Sequence, residues 1–208
     1  MVKKEKLRSP FYQVAINLLT PIFWIINFTK YKNNKKLPTK GAYIICANHS
    51  SYKDPILLAI SQRRQIFFMS KAELFKNRIL AYIFRKLGAF PVERGKKDGN
   101  ALSRAEEILL NGNLLGIFIE GTRSKTGELQ APKSGAVMLA FKTNTPIVPI
   151  SISVKGGGKL RIFHKVTISY GDPISPKELG LVEGTSREFK NASRIVMDKI
   201  RDLRVKEI

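Results

Sequence analysis

I-I-C-A-N-H-S-S-Y-K-D-P, residues 44–55, sets one of the chain's two histidines at the end of an apolar run, with an aspartate five residues later. Ile44, Ile45 and Cys46 read as a short buried strand. Asp54-Pro55 reads as a helix start, in which aspartate caps the first free N–H groups and proline takes the first helical position. His49 is then expected in a strand-to-helix loop, where α/β proteins place reactive groups. An imidazole neutral near pH 7 takes a proton from a hydroxyl through one nitrogen when a carboxylate holds the N–H of the other. His49 with Asp54 therefore suits a base that activates an alcohol. The same residues also read as a hydrogen-bonded core histidine beside a plain helix cap, and the stretch alone does not separate the two. Asp54 can serve both ends, with one oxygen at the helix and the other at the ring.

Three more blocks follow Asn48, His49 and Asp54 along the chain: G-A-F-P-V-E-R at 88–94, E-G-T-R-S at 120–124 and I-V-P-I at 147–150. N-H-x4-D followed by these blocks in this order resembles the glycerolipid acyltransferases, specifically the 1-acylglycerol-3-phosphate (lysophosphatidic acid) acyltransferase family. A lone H-x4-D arises often by chance; four blocks in family order are specific. The resemblance implies that His49 is the base and Asp54 its partner. It implies that Arg94, Glu120, Gly121, Thr122 and Arg123 bind the glycerol phosphate of the acceptor. Asn48, Gly88 and Ser124 fall in the same blocks as supporting residues, and the block containing Pro149 is associated in the family with the acyl-binding side. Lys71, at the end of the run I-F-F-M-S, matches a lysine position in the family and is expected to contact a substrate oxygen or phosphate.

With 208 residues the chain has length for one sizeable core, hence one α/β domain with an appendage. The expected fold is a single mixed, largely parallel sheet flanked by helices. Its boundaries are expected at 1–40 for an N-terminal membrane-interfacial helical hairpin and 41–208 for the α/β domain. A formal charge of +21 calls for an anionic partner: nucleic acid, a membrane surface or acidic small molecules. The aromatics concentrate in apolar runs and do not interleave with basic residues, which argues against nucleic acid. The single cysteine, Cys46, lies in the presumed core, which fits a reducing cytosolic side. No Cys/His cluster has metal-ligand spacing, so no metal is expected.

Residues 1–40 carry nine Lys or Arg and one acid around the 18 mostly apolar residues Phe11 to Phe28. As one helix that run would reach about 27 Å, short of a hydrocarbon core of about 30 Å. Pro21 in its middle, the recurring Gln13, Asn17 and Asn27, and two basic flanks argue against a span. The reading is two short amphipathic helices bent near Pro21 and lying in one leaflet, with Tyr12 and Trp24 at headgroup level. Packing as an ordinary core hairpin is the other reading.

Downstream, Ile66 to Met69, Gly88 to Val92, Leu114 to Ile119, Ile147 to Val154, Leu160 to Phe163 and Val166 to Tyr170 read as strands. Pro149 cannot donate to a ladder and marks an edge or a bulge. Asp98 to Asn111 and Gly135 to Lys142 read as helices, and 73–87 as helix with an apolar face fit for core or for an acyl-chain wall. Thr185 with Glu188 offers a capping box for a last helix that turns Phe189, Ala192, Val196, Ile200 and Leu203 inward. His164, between two strands, reads as a hairpin residue and not a second base.

The expected chemistry is acyl transfer from a thioester, acyl-CoA or acyl-ACP, to the hydroxyl of lysophosphatidic acid at the cytoplasmic face of a membrane, with no cofactor. There is no G-x-S-x-G block, so direct transfer is preferred to an acyl-enzyme. Backbone N–H groups near His49 and the Lys71 ammonium are the oxyanion candidates. A non-catalytic anionic-lipid-binding module, or action on another lysolipid, is the alternative.

Overall fold

The computed structural model describes residues 9–33, 37–93, 99–158, 160 and 163–204. Its strands are β1 (Lys30–Lys32), β2 (Tyr43–Ala47), β3 (Ile66–Lys71), β4 (Ala89–Val92), β5 (Leu114–Phe118), β6 (Ile147–Val154) and β7 (Val166–Tyr170). They form one sheet in the order β1-β7-β6-β2-β5-β3-β4. Neighbours pair in parallel except β6 and β7, which run antiparallel. The helices are α1 (Pro10–Asn27), α2 (Asp54–Ser61), α3 (Arg78–Lys86), α4 (Gly99–Leu110), α5 (Gly135–Thr143) and α6 (Ser186–Asp202), with a 3-10 turn at Ala72–Phe75. The mixed, largely parallel α/β sheet expected from the sequence is therefore the one that forms.

The apolar run of β2 is explained by burial on both faces, as parallel sheets require. Ile44 and Cys46 join Leu115, Ile147, Ile108, Val137 and Val196, on the face that α4, α5 and α6 cover. Ile45 and Ala47 join Leu57, Leu58, Leu114 and Val148 on the other face, which α2 covers. Each fully buried Leu or Ile contributes about 1.5–3 kcal/mol, so central strands of this composition hold the domain together. Thr185 and Glu188 form the capping box of α6, and Ala192, Val196 and Ile200 face inward as their spacing predicts.

At the amino end the structure departs from expectation. Instead of two helices bent at Pro21, α1 is one 18-residue helix that contains Pro21. Proline removes one helical bond and crowds the preceding turn, but the helix is held on both sides of it. Ser9 caps it by accepting the Tyr12 N–H, and Tyr12 and Ile16 pack against Ala59 of α2. At the far end Phe28 adopts a left-handed φ of 42° and donates its N–H to the Trp24 carbonyl. No described helix is long and apolar enough to cross a membrane.

Part of the segment ahead of residue 41 also joins the sheet, where β1 pairs with β7 from Lys30 opposite Thr167 to Lys32 opposite Ser169. Its lysines look like a basic flank in the sequence and suit an edge strand, where charge discourages further pairing. Pro149 lies in β6, an interior strand, not at an edge. Its carbonyl accepts from the Gly171 N–H at 2.9 Å, one residue past the β7 ladder. N–H and C=O of one strand residue point the same way, so the missing donor falls where the ladder has ended. Leu160 and Phe163 lie outside any strand, and 161–162 are not among the described residues.

One buried arginine, unremarked in the sequence, fixes how the central strands begin. Arg64 donates to the carbonyls of Pro38 and Gly41, at 3.1 and 2.7 Å, and also to that of Gly112. Gly41 precedes β2 and Gly112 precedes β5, so one guanidinium clamps the starts of both strands. A charged donor contributes about 1.5–3 kcal/mol per bond. Arg64→Ala is expected to lower stability by about 3 kcal/mol or more, a drop of roughly 6–12 °C in thermal midpoint, measured by circular dichroism.

Candidate active site

β2 and β5 run side by side with Ala47 opposite Phe118, so both chains leave the sheet at its carboxyl edge together. That edge is where open α/β sheets bind ligands. Beyond the strands the pairing continues by other means. The Ile119 N–H reaches the Ala47 carbonyl at 3.0 Å, and the Ser124 N–H reaches the His49 carbonyl at 2.8 Å. The His49 N–H in turn donates to Glu120 Oε1 at 3.1 Å. On the opposite side Asn48 copies a peptide group: its amide donates to the Ile152 carbonyl at 3.0 Å and accepts the Ile152 N–H at 2.8 Å. His49 thus has both backbone groups fixed and a tethered residue before it.

His49 Nδ1 lies 2.7 Å from Asp54 Oδ2. The same oxygen accepts the N–H groups of Ser50 and Ser51 at 2.7 and 2.8 Å. An ionised carboxylate only accepts, so Nδ1 carries the hydrogen and Nε2 keeps its lone pair. The sequence reading of Asp54 as a helix cap needs correction here. Lys53 occupies the cap position, Asp54 begins α2, and its carboxylate collects the loop upstream of the helix instead of the helix's own N–H groups. The two oxygens do not divide the work either: Oδ2 takes the ring and the loop, while the buried Oδ1 has no partner.

The imidazole is stacked on the Phe118 ring at 3.9 Å between centroids and 13° between planes. With His49 only 7% exposed, its ring forms part of the wall of a cavity of about 410 Å³. α1 contributes Tyr12, Ile16 and Leu19 to that wall, and the segment between β3 and β4 contributes Leu74, Phe84 and Leu87. Phe68 and Phe118 come from the sheet, and Lys71 and Arg123 are the cations on the lining. The wall is mostly apolar with a base and two cations, a composition suited to a molecule with a long apolar part and an anionic end.

The structure sorts the sequence candidates. His49, Arg123 and Lys71 meet on the cavity, with Asp54 behind the ring. Arg123 lies with Cζ 3.4 Å from the centre of the Tyr52 ring. Lys71, exposed at the end of β3, pairs with Glu73 at 2.9 Å. Glu120 and Ser124 brace the loop from behind. Glu120, expected in the phosphate-binding block, turns its carboxylate to the His49 N–H and makes no ion pair with Arg123. Burial raises the Glu120 pKa against the lowering effect of that N–H, and the nearby Asp54 charge raises it further. Gly121, with φ of 73°, makes the turn, while Thr122 is exposed and off the cavity wall. Gly88 and Pro149 serve the fold: a Cβ on Gly88, whose φ is 90°, would sit 2.9 Å from the Ile66 carbonyl oxygen. Arg94 lies outside the described residues. Among oxyanion donors, the N–H groups of His49, Ser50 and Ser51 are all engaged, which removes them from the candidates and retains the Lys71 ammonium.

Tyr52, Phe118 and Phe68 are site residues that sequence reasoning passed over. Parallel pairing of the two most apolar runs would have set Phe118 beside Ala47, one residue from the histidine's loop. An aromatic inside the H-x4-D loop was the visible sign of Tyr52.

The family described as Acyltransferase matches residues 28–153 of the chain. The 1-acyl-sn-glycerol-3-phosphate acyltransferase of Bacillus subtilis (strain 168) is 31% identical over 166 residues, covering 78% of this chain and 82% of that protein. The protein of the same name from Streptococcus pneumoniae is 29% identical over 177 residues, covering 81% of this chain and 64% of its own length. The crystal structure of the 1-acyl-sn-glycerophosphate (LPA) acyltransferase from Thermotoga maritima matches with a TM-score of 0.67 and 27% identity, over 93% of this chain and 76% of that one. Four ordered motifs, a His–Asp pair set at the carboxyl edge of the sheet, and these likenesses in sequence and fold lead to one conclusion: the chain belongs to the 1-acylglycerol-3-phosphate acyltransferase family and is an enzyme of that type.

Proposed function

We propose that the chain transfers an acyl group from an acyl thioester, acyl-CoA or acyl-ACP, to the free sn-2 hydroxyl of 1-acylglycerol-3-phosphate, making phosphatidic acid for phospholipid synthesis. The observation that carries this reading is the buried His49–Asp54 pair on a mostly apolar cavity whose wall also holds Arg123. His49 Nε2 takes the proton of the acceptor hydroxyl as its oxygen attacks the thioester carbonyl. Asp54 stabilises the imidazolium, and the Phe118 face stacked on the ring favours the same cation. Collapse of the tetrahedral intermediate breaks the C–S bond, and the imidazolium returns its proton to the departing thiolate. The Lys71 ammonium is assigned to the carbonyl oxygen as charge develops there. Arg123, flattened on Tyr52, is assigned to the acceptor's phosphate together with Arg94. The two substrates and these side chains suffice; the reaction as written calls on no metal or further cofactor.

Both acceptor and product of such a reaction are membrane lipids, which gives the outward face of α1 a purpose. Val14, Leu18, Trp24 and Ile25 are exposed along it, while Tyr12 and Ile16 face the core and the cavity. We assign α1 to one leaflet at the cytoplasmic face of the cell membrane, as a peripheral or monotopic anchor next to where acyl chains enter.

His49→Ala is expected to reduce transfer to lysophosphatidic acid by a factor on the order of 10²–10⁴, in keeping with loss of a general base. Retention of near-normal transfer would refute the catalytic reading while leaving lipid binding intact. Arg123→Ala should raise the apparent KM for the lysolipid and leave that for the thioester unchanged; steady-state kinetics with each substrate varied in turn decides this, and an effect confined to the donor would reverse the assignment. For Glu120, burial lifts the folded-state pKa above the unfolded value, so its contribution to stability diminishes as pH rises through that window. Glu120→Gln keeps an oxygen for the His49 N–H and removes the buried charge. Its thermal midpoint should exceed the parent's at pH 7, with the difference closing as the pH is lowered and the parent's carboxyl becomes protonated.

A further inference from the structure

We propose that α3 and the turn before it form a second lipid-contacting surface, beside the cavity that α1 also lines, that seats the protein on an anionic leaflet through Ile79, Leu80 and Tyr82. A helix packed on a domain buries its apolar side chains, but α3 does the reverse. Of its nine residues only Ala81 is buried, while Ile79, Leu80 and Tyr82 are 73%, 47% and 60% exposed. Single exposed apolar residues are ordinary; a cluster on one short helix marks a surface that meets something. Phe84 on the same helix, with Leu74 before it and Leu87 after it, lines the cavity. The segment therefore touches the cavity with some of its apolar side chains and leaves others exposed, as α1 does.

The surrounding charge selects the occupant. Between residues 71 and 86 stand Lys71, Lys76, Arg78, Arg85 and Lys86 against the single acid Glu73. Lys86 Nζ lies 5.4 Å from the Tyr82 ring centre and the Arg85 guanidinium 5.7 Å from that of Phe75, so the cations frame the apolar patch. Apolar residues framed by Lys and Arg match the boundary between acyl chains and anionic headgroups. A second copy of the chain does not fit, since pairing two such faces would bring like charges together on a protein of net charge +21. A folded acidic protein would answer the charge, but it would have to match the exposed apolar residues of two helices beside a cavity. A fluid leaflet covers both at once and leaves the cavity mouth open to lipid.

The proposal deepens the membrane attachment assigned to α1, yet its test does not depend on the transfer reaction. Trp24, the chain's one tryptophan, lies on α1. In the full chain carrying Trp24→Phe and Tyr82→Trp, the indole at position 82 should shift its emission to the blue with vesicles of phosphatidylcholine and phosphatidylglycerol, and brominated lipids should quench it. In the otherwise native chain, Ile79→Glu with Leu80→Glu should lower partition onto those vesicles at least tenfold with an unchanged circular-dichroism melt. Arg78→Glu with Lys86→Glu, which leaves the apolar residues in place, should lower it in the same direction and flatten its salt dependence. An indole that neither shifts nor is quenched, or partition unchanged in both double variants, overturns the proposal. So does a double variant that still binds vesicles but loses binding to an acidic carrier protein or changes its oligomeric state on gel filtration. Insertion of the indole in a chain that shows no transfer to lysophosphatidic acid would uphold this surface and refute the function proposed above.

Discussion

The parallel pairing of β2 with β5 is the constraint on which the site depends. With Ala47 held opposite Phe118, the loop carrying His49 and the loop carrying Glu120 leave the sheet side by side, and each closes the other's hydrogen bonds. Arg64 enforces that register from the far end by gripping the residues just ahead of both strands. A one-residue slip would exchange the faces of the whole strand. It would carry Phe118 away from the imidazole and bury the wrong set of side chains.

Within that frame the electrostatics follow from where the carboxylates are put. Asp54 is wholly buried, and three N–H donors converge on one of its oxygens, which compensates the loss of water for the charged form. Glu120, buried on the same loop system, receives hydrogen bonds from the His49 N–H and from Gln130, and burial outweighs them. The two acids are therefore not equivalent. Asp54 is an orienting charge held against the base, whereas Glu120 is a brace under strain from desolvation. This division supports the reactive histidine proposed above: a ring fixed by a carboxylate, stacked on Phe118 and lining a cavity is more constrained than a core histidine needs to be.

α1 and α3 treat their apolar residues in the same way. Both put part of an apolar surface into the cavity and leave part of it facing out. This arrangement makes poor use of side chains for stability in water, where exposed Ile, Leu and Trp contribute nothing through burial. It accords with the membrane attachment proposed above, under which the wall of the cavity would be continuous with the surface that meets the leaflet.

Much of this was written in local sequence. The apolar runs of the central strands, the Thr185–Glu188 capping box and the H-x4-D spacing announce themselves, because short-range propensity and periodicity act over a few residues. His49 and Asp54 stood out as a candidate pair by their spacing, and Arg123 as a candidate through the family resemblance. What tertiary structure alone decided is which distant groups those residues meet. Pro21 stays inside one helix because Tyr12 and Ile16 are packed on α2; the basic Lys30–Lys32 becomes a strand because β7 offers it an edge; Asp54 serves the loop before its helix because the backbone turns back on it; the stacking of Phe118 on His49 and of Arg123 on Tyr52 joins residues far apart in the chain. Hydrogen bonds and packing between residues far apart in the chain depend on the sheet's register, and register is a property of the assembled fold.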